Sequence, residues 1–157
     1  MKRYLHNYER YKNHERSLGY ARTLIKDLPA KINAFRDVSH TPAVEMEFMT
    51  EAAQTVIDCR LTLKWSYAYA YFMEDDGKLD TNALKLFQFR QSDLERYCEH
   101  LTGMVESPLD QYIDLQSKHF DHKLFQEAKI KFHDFRGAMI DYRRATESFR
   151  KKFLDVV

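Results

Sequence analysis

The side chains best suited to chemistry in this sequence are two cysteines and a closely spaced pair of histidines. Cys59 lies on the apolar stripe of a predicted helix, where a small hydrophobic side chain is expected. Cys98 stands two residues before His100, a spacing that points the two side chains to different helical faces. His119 and His122 share one face, but zinc normally takes three or four protein ligands. We therefore interpret the histidines as a solvated pair and predict neither a metal site nor a catalytic thiol.

Other motifs with a chemical role are missing from the sequence. The acidic run Asp75, Asp76, Gly77 and Asp80 lacks the alternating ligands and the closing Glu of an EF-hand, so a turn is predicted there. A Glu-x-x-His pair, which helical bundles use for di-metal sites, does not occur, and neither does a Gly-rich phosphate loop. We predict a chain that has no enzymatic activity and binds no cofactor.

Charge and hydropathy argue against two further classes of partner. The 25 Lys and Arg residues nearly balance the 24 Asp and Glu residues, and no long single-sign run occurs. A nucleic-acid interface is therefore not expected. No stretch has the length and apolar character of a signal peptide or a membrane span. Two cysteines do not resemble a secreted disulfide framework, so we expect a reducing compartment, the cytoplasm, with the nucleus as an additional location.

The elements that must position any site are predicted to be helices. The chain has only 4 Gly and 3 Pro, with 44% apolar residues, a balance typical of long helices. Apolar residues at three- and four-residue spacing predict a first helix from Lys2 to Asp37, kinked or restarted near Pro29. A loop should follow at 38–40, and Thr41 should cap a second helix with Pro42 at its first position.

The second helix is predicted to lie at the centre of the molecule. Its apolar residues repeat every seven positions, as in a coiled-coil seam; they are Met49, Val56, Leu63 and Ala70. Trp65, Tyr67, Tyr69, Tyr71 and Phe72 add more aromatic rings than one stripe can hold. Whether this aromatic group forms core or a peptide groove stays open.

Two further helices complete the predicted fold. After a turn at 74–77, Thr81 can cap a third helix, which Ser107 and Pro108 end. A long last helix should then reach Phe153, with Leu124 among its apolar positions. Short connections force neighbouring helices to run in opposite directions. We predict one all-α domain over residues 1–157, an elongated antiparallel bundle of four to five helices.

Three blocks of the sequence, Arg10–Leu18, Ala53–Phe72 and Phe87–Gly103, have patterns that resemble one known family, the Ariadne domain of RING-between-RING ubiquitin ligases. The segment Arg10–Leu18 is similar to the family's opening pattern, Arg-Tyr-x-Asn-His-x-x-Ser-Leu. The stretches Ala53–Phe72 and Phe87–Gly103 resemble its second and third helices. The resemblance covers the chain from Tyr4 to Gly103. The C-terminal helix is similar to that of the family only in its length and character.

The resemblance implies a regulatory function. In the family, this helical domain follows zinc-binding modules, the last of which carries the cysteine that accepts ubiquitin. The chain is therefore expected to be an excised or incomplete part of a ligase, without ligase activity of its own, and zinc is expected only in the missing modules. The implied function is autoinhibition, in which the bundle packs over its own catalytic module until a neddylated cullin–RING complex relieves the block.

The resemblance also implies which residues form the autoinhibitory and partner interface. The family has an aromatic and then an acidic residue just after its Ser-Leu pair, and acidic residues on its third helix. Tyr20 holds the aromatic position and Glu99 one acidic position. Ala21 and Gln88 stand where acids are expected, which implies either a weaker lock or a matching change in the catalytic module. Plain packing for Tyr20 and a solvated charge for Glu99 are the alternatives.

Asn13, His14 and Ser17 are the polar signature of the family pattern. We expect Asn13 and His14 to be buried polar groups that hold helices in register. The alternative function is that of a helical adaptor, which would capture short peptide motifs of partner proteins on an apolar strip.

Overall fold

The chain folds into a bundle of long helices in the computed structural model, which describes residues 2–75, 81–112 and 122–155. These ranges contain no strand. They comprise α1 (Lys2–Ser39), a 3₁₀ turn (Ala43–Met46), α2 (Glu47–Asp75), α3 (Thr81–Glu106), a second 3₁₀ turn (Leu109–Tyr112) and α4 (His122–Leu154). The predicted all-α fold is confirmed.

Helix α2 lies at the centre and packs against α1, α3 and α4. Its predicted seam is buried throughout: Met49, Val56, Leu63 and Ala70 are at most 2% exposed. Contacts along the helices give their directions. Tyr4 packs on Tyr71 while Glu15 pairs with Lys64, so α1 runs antiparallel to α2. The predicted central position of α2 is confirmed, because its heptad repeat keeps one continuous apolar stripe in contact with neighbouring helices.

Helix α1 continues through Pro29 without a restart. Proline lacks the N–H that would bond to the carbonyl of Ile25, yet α1 extends to Ser39. Neighbouring Leu28 and Phe35 are 1% and 3% exposed, so both flanks of the proline are anchored in the core. Burial of these side chains outweighs the one missing hydrogen bond, and the predicted end at Asp37 was two residues early.

The turn between α1 and α2 differs from the prediction. His40 adopts a positive φ of 56°, and its N–H donates to the Arg36 carbonyl at 2.8 Å, which closes α1 with a left-handed cap. Thr41 is not the N-cap, because its hydroxyl bonds with Ser39 at 2.8 Å. Pro42 takes the capping position without a side-chain bond, and a 3₁₀ turn precedes α2.

The last helix starts later than predicted. A 3₁₀ turn occupies Leu109–Tyr112 after Pro108, and α4 is described from His122. Leu124, one of the predicted apolar positions, is 47% exposed, because the first turns of α4 are exposed almost throughout. Burial begins at Phe132 and reaches Phe153, which is 1% exposed.

Some predictions fall outside what the structure describes. The predicted turn at 74–77 was placed too early, since α2 continues through Asp75. Residues 76–80 of the turn and of the acidic run, the capping side chain of Thr81 and the histidine at position 119 lie outside the described part. No helix in the described part of the chain is both long and apolar enough to cross a membrane.

Candidate protein-interaction site

A polar cleft of about 440 Å³ opens between α1 and α3, and we call it the α1–α3 cleft. It is lined by Arg10, Asn13, His14, Ser17, Arg60, Ser92, Glu95, Arg96 and Glu99. Helical geometry assembles it, because side chains three and four positions apart share a face. The polar signature of α1 and the predicted acidic residue of α3 therefore meet across one opening.

Arg60 is the buried anchor of the cleft. Its side chain is only 5% exposed, and its Nη1 donates to Glu99 Oε1 at 2.7 Å. The carboxylate of Glu99 is 64% exposed, so the ion pair joins an enclosed cation to an anion in solvent. The hydrogen bond from Arg60 holds the pKa of Glu99 below its ordinary value. The arrangement fixes the position of the exposed Glu99 carboxylate at the cleft mouth.

His14 connects α1 to α2 and α3. Its ring stacks on Tyr67, with centroids 5.6 Å apart, and its Nε2 lies 2.7 Å from Glu95 Oε1. The Tyr67 hydroxyl donates to the same carboxylate oxygen at 3.0 Å. Burial acts to raise the pKa of Glu95, but the hydrogen bonds from His14 and Tyr67 outweigh it and hold that pKa below its ordinary value.

Tyr20 and Gln88 lie on the same helix faces as the cleft residues. Tyr20 continues the stripe of Asn13 and Ser17, and it is 69% exposed. Gln88 is exposed about three helical turns before Glu99, on the same face of α3. The structure thus brings most of the sequence-predicted interface residues to one side of the bundle.

Two sequence-predicted residues lie where the prediction did not place them. Ala21 follows His14 and Leu18 on the buried stripe of α1 and is 6% exposed, so it belongs to the core and not to an exposed interface. Asn13 was expected to be buried but is exposed, one position away from that stripe. Ser17 is half-buried at the cleft wall.

Sequence reasoning missed the roles of Arg60, Glu95 and Tyr67. A signal was present for Arg60, since Val56 and Leu63 flank it at helical spacing and both are buried. An arginine among buried positions needs a carboxylate partner. The register between α2 and α3, which decides that this partner is Glu99, could not be read from local spacing.

An aromatic groove of about 290 Å³ lies between α1 and α2. We define it by its lining: Tyr4, Asn7, Tyr8, Tyr11, Trp65, Tyr67, Ala68, Tyr71 and Phe72. Tyr67 is 5% exposed and belongs to the core, whereas Trp65 and Phe72 are 56% and 67% exposed. The aromatic group therefore supplies both a core side chain and the lining of an exposed groove.

The two cysteines meet in the core between α2 and α3. Both are 0% exposed, and a hydrogen bond from Cys59 to Cys98, together with burial, raises the pKa of Cys59. A thiol in this position packs as a small hydrophobic side chain. Among residues 2–75, 81–112 and 122–155, no group of three or more His, Cys, Asp or Glu could hold a metal ion.

The described helices, with a polar cleft and an aromatic groove on their surface, define an all-α helical-bundle domain. The family model of the Ariadne domain matches residues 2–131. The chain belongs to the Ariadne domain family.

Curated relatives agree with this assignment. The chain is 33% identical over 108 residues to E3 ubiquitin-protein ligase dbl4 of Schizosaccharomyces pombe, covering 69% of this chain and 20% of that protein. It is 34% identical over 110 residues to ari-1.1 of Caenorhabditis elegans, with 70% and 21% covered, and 31% identical over 106 residues to ARIH2 of Mus musculus, with 68% and 20% covered. The chain thus spans about a fifth of these relatives. No solved structure matches it.

Proposed function

We propose that this chain is the non-catalytic regulatory domain of a RING-between-RING E3 ubiquitin ligase. It autoinhibits the catalytic module in cis and helps dock neddylated cullin–RING complexes in trans. Family membership and the names of the relatives support the ligase context. The chain itself is proposed to need no cofactor, with zinc confined to the catalytic module.

The observation that carries the proposal is the pairing of an exposed aromatic ring with a fixed carboxylate on one side of the bundle. Tyr20 is 69% exposed on the stripe that borders the α1–α3 cleft. Glu99 extends from α3 at the same cleft. Aromatic side chains are frequent anchors of protein interfaces, and the exposed carboxylate of Glu99 can accept further hydrogen bonds from a partner.

Arg60 makes this surface suitable for a lock. Its buried guanidinium fixes the Glu99 carboxylate before any partner binds, so little side-chain freedom is lost on binding. A complete switch between closed and open forms needs roughly 10⁴-fold preference of the activator for the open form. A lock with fewer charged contacts needs less, and Ala21 and Gln88 replace two acids of the family pattern.

The test is a titration of the 157-residue chain against the isolated catalytic module of its parent protein. We expect Tyr20→Ala and Glu99→Ala each to weaken binding about tenfold or more. Phe72→Ala is the matched control for Tyr20→Ala, since Phe72 is 67% exposed but lies in the aromatic groove. Exposed Glu127, on α4, gives the control Glu127→Ala. If binding is insensitive to both cleft substitutions, the cleft is not the lock surface.

Docking in trans is tested separately. Purified neddylated and unmodified cullin–RING complexes are each passed over the immobilised chain. Stronger retention of the neddylated form supports docking, and equal retention or none contradicts it while leaving the cis lock unaffected.

A second candidate function, an adaptor for short peptides, is favoured by one observation. The aromatic groove leaves Tyr4, Tyr8, Trp65 and Phe72 at least 47% exposed beside one another. Monomeric proteins rarely expose contiguous apolar surface without a binding role.

A further inference from the structure

We propose that Cys59 and Cys98 form a redox switch, in which hydrogen peroxide oxidises the two thiols to a disulfide that joins α2 to α3. The formation of this bond is independent of the proposed regulatory function. Its effect on the α1–α3 cleft rests on that function, so the bond and the effect are tested by separate measurements.

The packing register of α2 and α3 places the two thiols opposite each other. Ser66 lies seven residues after Cys59 on α2, and Gln91 lies seven residues before Cys98 on α3. The side-chain amide of Gln91 donates to Ser66 Oγ at 2.7 Å. Because seven residues are about two helical turns, the thiol pair occupies the equivalent position two turns away in this antiparallel pair. At that level the Cys59 thiol donates a hydrogen bond to Cys98.

The surroundings of the pair give the two sulfurs different roles. Cys98 accepts the hydrogen bond from Cys59 and lies near the guanidinium of Arg60, and these contacts hold its pKa below the ordinary value despite burial. Glu99 opposes this effect, but its carboxylate is itself paired with Arg60. Cys98 is therefore the sulfur that reacts with peroxide as a thiolate, and Cys59 is the thiol that resolves the product.

The reaction balances with peroxide as the only co-reactant. The Cys98 thiolate attacks one peroxide oxygen, so a sulfur–oxygen bond forms, the oxygen–oxygen bond breaks and hydroxide leaves. The Cys59 sulfur then attacks the Cys98 sulfur, a sulfur–sulfur bond forms, and the second hydroxide leaves. The two thiol protons convert both hydroxides to water. The thiol pair thus loses two electrons, and one peroxide is reduced to two waters.

Burial decides which oxidant can react. Both cysteines are 0% exposed, so a bulky oxidant such as glutathione disulfide cannot reach either sulfur in the folded chain. Hydrogen peroxide is nearly as small as water, and brief local openings of the helices admit it. The sequence contains no third cysteine. The sulfenic acid of Cys98 therefore condenses with Cys59 inside the same molecule.

The disulfide acts on the α1–α3 cleft through the next residue of each helix. Arg60 follows Cys59 and Glu99 follows Cys98, and this ion pair lies at the cleft mouth. A disulfide brings its sulfurs to about 2 Å, which is closer than two hydrogen-bonded thiols. Oxidation therefore draws α2 and α3 together at this level and moves the Glu99 carboxylate.

The bond is tested by treating the folded chain with hydrogen peroxide, alkylating the remaining thiols in urea and measuring the intact mass. We expect a loss of about 2 Da, no alkylation, and full reversal by dithiothreitol. The melting temperature should rise by about 5–10 °C, because the cross-link restricts the unfolded chain between positions 59 and 98. Glutathione disulfide should leave both thiols open to alkylation.

Single variants assign the roles of the two sulfurs. Cys59→Ala should leave Cys98 as a sulfenic acid that reacts with dimedone, whereas Cys98→Ala should leave Cys59 unoxidised under the same conditions. Circular dichroism confirms that each variant remains helical. The wild type before and after reduction gives the same comparison without any substitution.

Two outcomes overturn the switch itself. If peroxide leaves both thiols free in the folded chain but oxidises them in urea, burial protects a pair that only packs, and the proposal is wrong. Intermolecular disulfides or sulfinic acids in place of the internal bond also contradict it.

The effect on the cleft is measured by titrating the reduced and oxidised chains against the catalytic module. We expect their affinities to differ about fivefold. Equal affinities contradict the coupling of the disulfide to the cleft. If neither form binds, the proposed function fails and the coupling fails with it, whereas the disulfide found by mass stands.

Discussion

At the scale of single residues, the Arg60–Glu99 pair joins a buried cation to an exposed anion. This difference in burial determines how much stability is lost when the acid is removed. Glu99→Ala would leave a buried guanidinium without its anion. Breaking an enclosed pair costs several kcal/mol, but Glu99 is 64% exposed, so solvent reduces the loss to about 1–2 kcal/mol. Glu99→Gln, which keeps an acceptor oxygen, should lose less. Chemical denaturation of the three proteins measures this order, and equal stability of all three would contradict it.

The pH dependence of stability should carry the signature of Glu95. Its folded pKa lies below the ordinary value of 4.5, so the unfolded chain binds the proton more readily. Its contribution is therefore complete above the ordinary pKa and disappears as the pH falls through the folded pKa. Compared with Glu95→Gln, the wild type should lose more stability on acidification through this range. Parallel pH profiles from urea unfolding would rule out the role of Glu95.

Positions on a helix face could be predicted from the sequence, whereas contacts between helices could not. Tyr20 and Glu99 could be placed on a common surface because the family pattern and helical spacing agree. The partners His14–Glu95 and Arg60–Glu99 could not be predicted, because each joins two helices whose relative register is set by packing of the whole core.

At the scale of elements, His40 closes α1 in a conformation that costs a residue with a side chain about 1–2 kcal/mol. Glycine adopts it freely but loses more entropy on folding. We expect His40→Gly to stabilise the chain by about 0.5 kcal/mol, because the relief of strain is larger than the entropy loss. Thermal unfolding measures this, with exposed His133→Gly on α4 as the destabilising control. A loss of stability in His40→Gly would contradict the assigned strain.

The seam of α2 offers a matched pair of leucines. Leu63 is 0% exposed and Leu61 is 40% exposed, two positions apart on one helix. Leu63→Ala should cost about 2–5 kcal/mol through lost burial and a cavity, whereas Leu61→Ala should cost less than about 1 kcal/mol. Denaturant midpoints give both values. Similar losses at the two sites would show that the seam is not the core.

The helices themselves were predictable because the spacing of apolar residues along the sequence indicates which positions are buried. The heptad repeat of α2 required no knowledge of its neighbours. The starts of α2 and α4 were missed since they depend on turns, where Thr41 bonds to Ser39 instead of capping and a 3₁₀ turn follows Pro108.

At the scale of the whole molecule, the family match ends before the core is complete. It stops at residue 131, yet Phe132, Met139 and Phe153 are at most 7% exposed. A chain ending at 131 would lack these side chains and would expose the apolar core surface that they cover. We expect it to lose cooperative thermal unfolding and to bind a hydrophobic dye, as loosely packed helical states do. A sharp transition like that of the full chain would show that α4 is dispensable.

The contacts of Tyr67 with His14 and Glu95 also couple the evolution of the aromatic groove to that of the α1–α3 cleft. Tyr67 lines the aromatic groove while its hydroxyl bonds to Glu95 in the α1–α3 cleft. A mutation of Tyr67 therefore changes both surfaces, so selection on either surface acts on this position. The effects of Tyr67 and Glu95 substitutions should be strongly epistatic in a mutational scan, and lineages that remodel one surface should carry compensating changes in the other.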